Sequence, residues 1–148
     1  MLAVGDSVML GAVANLQALG DVEVDAAVSR QFSTGTDILT TRRDAGTLGD
    51  IVVVHLGNNG PITGAQFDQM MSVLQGVDRA VFLTVKVPRD WEGPNNALLF
   101  SKAAEYGNAV VADWYATGSA HPEYCWDDGI HLRPEGAQAY ANLVAQYL

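Results

Sequence analysis

Ser7 stands where a short apolar run, Leu2-Ala3-Val4, gives way to apolar residues at helical spacing. A serine at a strand-to-helix junction lies beside the free N–H groups and the positive partial charge of a helix N-terminus. An oxyanion that forms there is stabilised, so Ser7 is a candidate nucleophile. The alternative is structural, because serine is also a common N-cap residue.

Asp128 and His131 lie one helical turn apart in sequence, just ahead of the last amphipathic stretch. A hydroxyl nucleophile needs a base that takes its proton, and that base needs a carboxylate that orients it. One local turn brings residues at this spacing together, so His131 is a candidate base and Asp128 its orienting acid. The alternative is an aspartate in a turn followed by a surface histidine.

Asn59 follows another apolar run, directly after Gly57 and Asn58. Its side-chain amide is a suitable donor to an oxyanion. The alternative is a turn residue, because an Asn-Gly pair such as Asn59-Gly60 tolerates positive φ angles.

Five apolar runs must position these residues, and each has the length of a strand. The predicted strands are Leu2–Val4, Val22–Val28, Ile51–Leu56, Ala80–Val87 and Ala109–Ala112. Helical spacing predicts helices over Val8–Leu19, Thr36–Leu48 and Asn96–Tyr106, and a last helix that begins at Pro134 and is completed by Ala137–Leu148. A further helix opens at a capping box formed by Thr63 and Gln66. We predict an irregular loop over Thr117–Ile130.

Strands that alternate with helices are typical of an α/β fold with a parallel sheet. We therefore predict one domain over residues 1–148, a three-layer α/β sandwich with a five-stranded parallel sheet and right-handed crossovers. Ligands bind at the carboxyl ends of the strands in such folds. The candidate residues all follow predicted strands, so this edge of the sheet is the predicted site.

The order Ser…Asn…Asp-x-x-His resembles the sequence blocks of the SGNH (GDSL-type) hydrolases. Gly5-Asp6-Ser7 is similar to the first block, Gly57-Asn58-Asn59 to the third and Asp128-Gly129-Ile130-His131 to the fifth. Ser29 occupies the second-block position, where glycine is usual. The resemblance covers nearly the whole chain and implies the SGNH fold, which is flavodoxin-like.

The resemblance also implies roles for individual residues. Ser7 would be the nucleophile, His131 the base and Asp128, rather than its neighbour Asp127, the orienting acid. An oxyanion hole would be formed by the Ser7 N–H, the Asn59 amide and the Ser29 N–H.

A narrower likeness is carried by the phrases GDSVMLGA, VSRQ, HLGNNG, VPRDW and DGIHLRPEGAQAYA. They are similar to the extracellular SGNH domain of bacterial membrane acyltransferases, of which the peptidoglycan O-acetyltransferases are the best known. This likeness implies a serine O-acetyltransferase that acts on a glycan of the cell wall or surface. An acetyl donor, a glycan acceptor and the membrane acyltransferase domain of the same polypeptide would be its partners.

The likeness further implies a location outside the cytoplasm, as a domain excised from a longer membrane protein. A carbohydrate or lipid esterase is the alternative within the family. A catalytically silent glycan-binding module is the alternative of another class, and a missing triad residue would have favoured it.

Four more residues follow predicted strands near the predicted site, and we predict that they contact substrate. They are Arg30, Asn58, Arg89 and Trp91. A guanidinium binds a carboxylate through paired hydrogen bonds, and an indole stacks on a sugar ring. The alternative is that such residues only brace loops.

The composition argues against several other functions. The chain has 148 residues with 8 Lys+Arg against 17 Asp+Glu, and this net charge of −9 disfavours binding to nucleic acid or to anionic lipid. A hydrophobic content of 49% excludes disorder, and no apolar stretch approaches the roughly 18 residues that span a bilayer. We expect a monomer.

One cysteine and three histidines, none at metal-ligand spacing, predict neither a metal nor a disulfide, and we expect no cofactor. His55 lies within a β-branched run and is predicted to be buried and hydrogen-bonded. Cys125 is predicted to be a packing residue.

Overall fold

One parallel sheet forms the centre of the computed structural model, which describes residues 1–148. Its strands are β1 (Leu2–Gly5), β2 (Glu23–Ala26), β3 (Ile51–His55), β4 (Arg79–Leu83) and β5 (Ala109–Ala112). Their order across the sheet is β2-β1-β3-β4-β5, and every neighbouring pair is parallel. The chain winds in opposite directions from β1 and β3, so the topological switch point lies between these two strands.

Seven α-helices and one 3₁₀ helix connect the strands. They are α1 (Ser7–Leu10), α2 (Val13–Gln17), α3 (Phe32–Asp44), α4 (Gly64–Val73), α5 (Glu92–Ala103), α6 (Trp114–Ala120), the 3₁₀ helix Pro122–Tyr124 and α7 (Pro134–Ala145). Helices α3, α4 and α5 cover one face of the sheet, and α1, α2, α6 and α7 cover the other.

The two faces of the sheet pack into two separate apolar cores. On β3, the side chains of Val52 and Val54 join the core that contains Phe67, whereas Val53 joins the core that contains Tyr140. Because a parallel strand is buried on both faces, its sequence is apolar without alternation. The structure therefore confirms the predicted three-layer α/β sandwich.

The predicted helix Val8–Leu19 is instead two short helices, α1 and α2, that separate at Gly11. The Gly11 N–H donates back to the Val8 carbonyl at 3.1 Å, which tightens the last turn of α1. A Cβ atom on Gly11 would lie 3.3 Å from that carbonyl and 3.7 Å from Leu132 Cβ. The break therefore coincides with the close approach of the segment that precedes α7.

Other predicted boundaries are wrong because tertiary contacts extend or shorten the elements. Helix α3 begins at Phe32, which is buried, and α5 begins at Glu92 rather than at Asn96. Pro94 lies in the first turn of α5, where a missing N–H costs no hydrogen bond. Strands β2 and β4 are shorter than predicted.

The predicted irregular loop Thr117–Ile130 is also partly wrong, since it contains the end of α6 and the 3₁₀ helix. The Asp113 carboxylate caps α6 by accepting from the Ala116 N–H at 3.0 Å. By contrast, the capping box of α4 is confirmed: the Gln66 N–H donates to Thr63 Oγ1 at 3.2 Å, and the Thr63 N–H donates to Gln66 Oε1 at 2.9 Å.

Candidate active site

Ser7 begins α1 directly after β1, but the N-cap of that helix is Asp6. The Asp6 backbone is extended, with φ at −102°, and its carboxylate accepts from the Val8 N–H at 3.0 Å. The structural alternative for Ser7, a capping role, is therefore wrong. The Ser7 hydroxyl is left for another hydrogen bond.

That bond is made to His131. Ser7 Oγ lies 3.0 Å from His131 Nε2, and His131 Nδ1 lies 2.6 Å from Asp128 Oδ2. An ionised carboxylate only accepts hydrogen bonds, so the imidazole proton belongs on Nδ1, facing Asp128. Nε2 then has a free lone pair that accepts from the Ser7 hydroxyl. The structure brings these three residues together in an order suited to proton transfer from Ser7.

Asp128 and His131 belong to residues 126–131, called the acid–base loop below, which two backbone hydrogen bonds close on itself. The Trp126 N–H donates to the His131 carbonyl at 2.9 Å, and the Gly129 N–H donates to the Trp126 carbonyl at 2.8 Å. Gly129 has φ at +70°, in the left-handed region that glycine enters without strain. One local turn therefore holds the pair, as the spacing predicts.

Hydrogen bonds keep Asp128 ionised. Burial acts to raise the pKa of its carboxyl, but donation from the His131 ring and from the backbone of Ile130 and His131 outweighs burial, so the pKa lies below its usual value. The two backbone N–H groups lie 2.8 and 3.0 Å from Asp128 Oδ1. The neighbouring Asp127 contacts no histidine. Its carboxylate is fully exposed and lies 3.6 Å from Arg133 Nη2.

A cavity of about 230 Å³ opens beside the Ser7 hydroxyl. Its lining consists of Ser7, Asn58, Asn59, Val87, Arg89, Trp91, Ile130 and His131. A larger cavity of about 570 Å³ lies between the segments that lead into β3 and β4, at the opposite edge of the sheet, and contains no serine–histidine pair. The smaller cavity is therefore the candidate active site.

Asn59 shares the wall of this cavity with Ser7. Its amide nitrogen lies 3.3 Å from Asp6 Oδ2 and 3.4 Å from the Arg30 carbonyl. Both distances are at the long end of hydrogen bonding, so the amide is oriented but weakly bound. Donation to an oxyanion formed at Ser7 is therefore chemically feasible for Asn59.

Comparison with models of protein families finds no match. Among curated relatives, peptidoglycan O-acetyltransferase OatA of Listeria monocytogenes is 33% identical over 99% of this chain, and O-acetyltransferase OatA of Staphylococcus aureus is 34% identical over 98%. The chain spans 24% of the length of each of these relatives.

Two solved structures share the architecture. The C-terminal catalytic domain of Streptococcus pneumoniae peptidoglycan O-acetyltransferase A, with a methylsulfonyl adduct, has a TM-score of 0.86 at 23% identity, over 98% of this chain and 89% of that chain. A GDSL-like lipase from Bacteroides thetaiotaomicron has a TM-score of 0.75 at 16% identity, over 99% and 85%. The chain has the SGNH hydrolase fold. It is homologous to one segment of the peptidoglycan O-acetyltransferases.

No helix of this SGNH-fold chain has both the length and the apolar character needed to cross a membrane.

Ser29 has an unusual backbone conformation. It is the one non-glycine residue with a positive φ, +59°, a conformation that costs an L-residue roughly 1 kcal/mol. Ser29 therefore keeps the backbone conformation that glycine favours. Its N–H donates to no protein acceptor, but Ser29 does not line the 230 Å³ cavity. Its role as an oxyanion donor stays a prediction.

Arg30 does not lie where the predicted contact with substrate would place it. Its Nη1 donates to the Gly5 carbonyl at 3.2 Å and to the Asp25 carbonyl, and its Nη2 lies 2.7 Å from Asp25 Oδ1. These bonds join the carboxyl ends of β1 and β2, and Arg30 does not line the cavity. The side chain therefore braces the strand ends. This is close to the alternative given in the sequence analysis, in which such residues brace loops and do not contact substrate.

The other three predicted contact residues, Asn58, Arg89 and Trp91, do line the cavity. Trp91 Nε1 donates to the Asn58 carbonyl at 3.2 Å, which ties the segment after β4 to the turn after β3. Asn58 Oδ1 is buried without a hydrogen-bond partner. Arg89 is exposed and is the one arginine or lysine of the lining. Their contacts with substrate stay predictions.

Lys86 contributes to the site, although the sequence analysis does not single it out. Its Nζ donates to the Gly129 carbonyl at 2.6 Å, so this lysine holds the acid–base loop from the β4 side. Its stem passes close to Gly118, where a Cβ atom would lie 2.9 Å from Lys86 Cδ. The sequence shows only a lysine between two valines, Val85 and Val87, which does not identify this contact.

A buried polar network links the site to the apolar core. Asn58 Nδ2 donates to Asp6 Oδ2 at 2.9 Å and lies 3.3 Å from His55 Nε2, and His55 Nδ1 lies 2.9 Å from the Tyr140 hydroxyl. The prediction that His55 is buried and hydrogen-bonded is confirmed. Burial lowers the pKa of His55, although the charge of Asp6 opposes this, and burial raises the pKa of Tyr140.

Because His55 has a lowered pKa, stability is expected to fall in mild acid. Below about pH 6.5 the unfolded chain binds a proton at this histidine that the folded chain does not bind, so unfolding becomes more favourable as pH decreases. The contribution is up to about 1.4 kcal/mol per pH unit until the folded-state pKa is reached. Urea unfolding between about pH 7.5 and 5 measures this slope.

The matched variants for this measurement are His55→Gln and His121→Gln, since His121 is exposed and pairs with Glu123 at 2.9 Å. His55→Gln is expected to be less stable overall but to show a flatter pH slope. His121→Gln is expected to keep the loss of stability in mild acid, because His55 is still in place. Equal slopes in all three proteins would contradict the assignment.

Proposed function

We propose that this chain is the catalytic domain of a serine-dependent O-acetyltransferase. It moves an acetyl group through an acetyl-serine onto a sugar hydroxyl of peptidoglycan or of another surface glycan. The observation that carries the proposal is the Ser7–His131–Asp128 relay, with contacts of 3.0 and 2.6 Å. Homology to the peptidoglycan O-acetyltransferases supports acetyl as the group transferred and glycan as the acceptor.

In the first half-reaction, Ser7 Oγ attacks the carbonyl carbon of the acetyl donor while His131 Nε2 takes the Ser7 proton. The new C–O bond produces a tetrahedral oxyanion. Its collapse breaks the bond to the donor oxygen, and His131 returns the proton to the departing alcohol. Asp128 accepts a hydrogen bond from the Nδ1–H group throughout and stabilises the imidazolium ion.

In the second half-reaction, a sugar hydroxyl replaces the donor alcohol. His131 takes the proton of this hydroxyl as its oxygen attacks the acetyl-serine carbonyl, and a second oxyanion forms at the same position. Collapse releases the acetylated sugar, and Ser7 Oγ recovers the proton from His131. Water in place of the sugar gives the esterase reaction.

The oxyanion is stabilised by donors that are fixed before the reaction begins. We assign the Asn59 amide and the Ser7 N–H to this role, with the Ser29 N–H as a third donor. The long hydrogen bonds of the Asn59 amide, 3.3 and 3.4 Å, are readily exchanged for a shorter one to a full negative charge.

Replacing Asn59 by alanine is expected to lower kcat for p-nitrophenyl acetate by about 10²–10³-fold, with a much smaller change in KM. The reason is that the amide interacts with the oxyanion and not with the ground-state ester. Steady-state kinetics measures both constants. Asn142→Ala, at an exposed asparagine on α7, is the matched control, and an equal loss in both variants would remove Asn59 from the oxyanion hole.

The whole protein is proposed to be longer than the described chain, because the relatives are about four times its length. We propose that residues 1–148 form one SGNH domain outside the cytoplasm. A membrane acyltransferase domain of the same polypeptide would supply the acetyl group, and the domain itself would act as a monomer.

The proposal is tested with p-nitrophenyl acetate as donor and chitopentaose as acceptor. Nitrophenol is followed by absorbance, acetylated sugar by mass spectrometry of the products, and acetyl-serine by intact mass after an acid quench. The expected result is an acetylated enzyme together with acetylated chitopentaose.

Two other outcomes would overturn the proposal. Nitrophenol release at saturating chitopentaose without any acetylated sugar would leave an esterase. Absence of both nitrophenol release and acetyl-enzyme would leave the catalytically silent glycan-binding module.

A further inference from the structure

Trp126 is a half-exposed aromatic residue at the start of the acid–base loop. The residue retains 52% of its accessible surface, the largest exposure among the Phe, Tyr and Trp residues of the chain. The backbone beneath it is fixed, because its N–H donates to the His131 carbonyl at 2.9 Å and its carbonyl accepts from Gly129 at 2.8 Å. The indole is therefore presented to solvent from a rigid turn that also holds the candidate base.

The indole carries a cation on one side. The Arg133 guanidinium carbon lies 4.8 Å from the centre of the Trp126 ring, a cation–π contact that fixes the orientation of both side chains. The pair thus presents an apolar indole surface with a positive charge against one side of the ring.

A cavity of about 440 Å³ is lined by Trp126 and Arg133. The acid–base loop separates this cavity from the one that contains Ser7, since Ile130 and His131 line the Ser7 cavity and Trp126 and Gly129 line the other. A polymer bound at Ser7 that crosses the loop therefore reaches Trp126.

The Ser7 cavity cannot enclose a glycan chain. Its volume of about 230 Å³ is below the roughly 300 Å³ at which ligand pockets begin, so further sugars of a polymeric acceptor must lie outside it. One face of a pyranose ring presents C–H groups that are apolar and slightly positive. Such a face packs on the negative face of an indole, while the sugar hydroxyls accept hydrogen bonds from a guanidinium.

We propose that the exposed face of Trp126, with Arg133 behind it, is a second sugar subsite, which binds a pyranose ring of the acceptor glycan beyond the Ser7 cavity. The subsite rests on the proposed function for the identity of the acceptor. It adds a location for the part of the glycan that is not acetylated.

The first measurement is binding of chitopentaose and of N-acetylglucosamine by isothermal titration calorimetry, which needs no turnover. Trp126→Ala is expected to raise the Kd of chitopentaose about tenfold, and Trp126→Phe, which keeps an aromatic face, only about threefold. Phe100→Ala is the matched control, because Phe100 is 48% exposed on α5 and has no part in the site. It is expected to keep the wild-type Kd.

The second measurement is acetyl transfer to the same two acceptors, divided for each variant by its own nitrophenol release without acceptor. Wild type and Phe100→Ala are expected to prefer chitopentaose, and Trp126→Ala to lose most of that preference. Dividing by nitrophenol release corrects the transfer rate for any loss of catalytic activity that a change at Trp126 causes through the acid–base loop.

The subsite is overturned if wild type binds chitopentaose no more tightly than N-acetylglucosamine, or if Trp126→Ala and Phe100→Ala bind it equally. Failure of the proposed function looks different. In that case chitopentaose binding still depends on Trp126, but no acetylated sugar is formed.

Discussion

Replacement of Ser7 by alanine is expected to lower kcat for p-nitrophenyl acetate by at least about 10⁴-fold. Without Oγ no acetyl-enzyme forms, and only binding and the oxyanion donors remain to accelerate direct attack by water. The 3.0 Å contact to His131 predicts that the loss is confined to the chemical step, since no backbone group depends on that hydroxyl. Burst kinetics and intact mass of the acetylated protein measure it.

The matched control is Ser101→Ala. Ser101 is an exposed serine near the end of α5 whose hydroxyl donates to the Leu98 carbonyl at 3.1 Å, and it does not line the candidate site. Its replacement is expected to change kcat by less than about twofold. An acetyl group that remains on the Ser7→Ala protein would show that a different residue is the nucleophile.

Replacement of Asp128 by asparagine is expected to lower kcat by about 10⁴-fold. An asparagine side chain can present its NH₂ group to His131, which favours the tautomer with the proton on Nε2 and removes the acceptor for Ser7. The change also removes the charge that stabilises the imidazolium ion. The fold is expected to persist, because the backbone donors of Ile130 and His131 can still bond to the amide oxygen.

Asp127→Asn is the control for this variant, since it makes the same chemical change one residue away at a carboxylate that contacts no histidine. It is expected to change kcat by less than about threefold. An equal loss of activity in the two variants would contradict the assignment of Asp128, and not Asp127, as the residue that orients His131.

The sequence predicts the site well where the geometry is local. Asp128 and His131 need one turn, and their spacing alone is enough to propose the pair. Ser7 and His131 are 124 positions apart, so their contact depends on the order of the strands. That order follows from apolar runs separated by helices, together with the rule that parallel strands place their carboxyl ends at one edge.

The sequence does not predict the role of a residue when its type suits two different roles. Asp6 and Ser7 are both good N-cap residues, and in the structure Asp6 caps α1 while its other carboxylate oxygen accepts from Asn58. Arg30 is suited to a ligand or to a strand end, and the nearby carbonyls of Gly5 and Asp25 decide its position. Sequence pattern records residue types, but these outcomes depend on three-dimensional neighbours.

The contribution of Lys86 could not be predicted for a related reason. Its acceptor, the Gly129 carbonyl, is a backbone atom that every residue has, so no residue type identifies the contact. Trp126 is similar, because the sequence shows a tryptophan beside Asp127 and Asp128 but not the fraction of its ring that solvent reaches.

If Ser7 is the proposed nucleophile, its separation from His131 along the chain also determines when it becomes reactive. A ribosome delivers the chain in order of its numbering, so Ser7 emerges 124 residues ahead of the imidazole that accepts its proton. Until that imidazole arrives, the hydroxyl is an ordinary alcohol and does not react with acetyl esters that it meets. Under the proposed mechanism, the nascent polypeptide therefore does not react with acetyl esters, and reactivity begins only when the finished domain has folded.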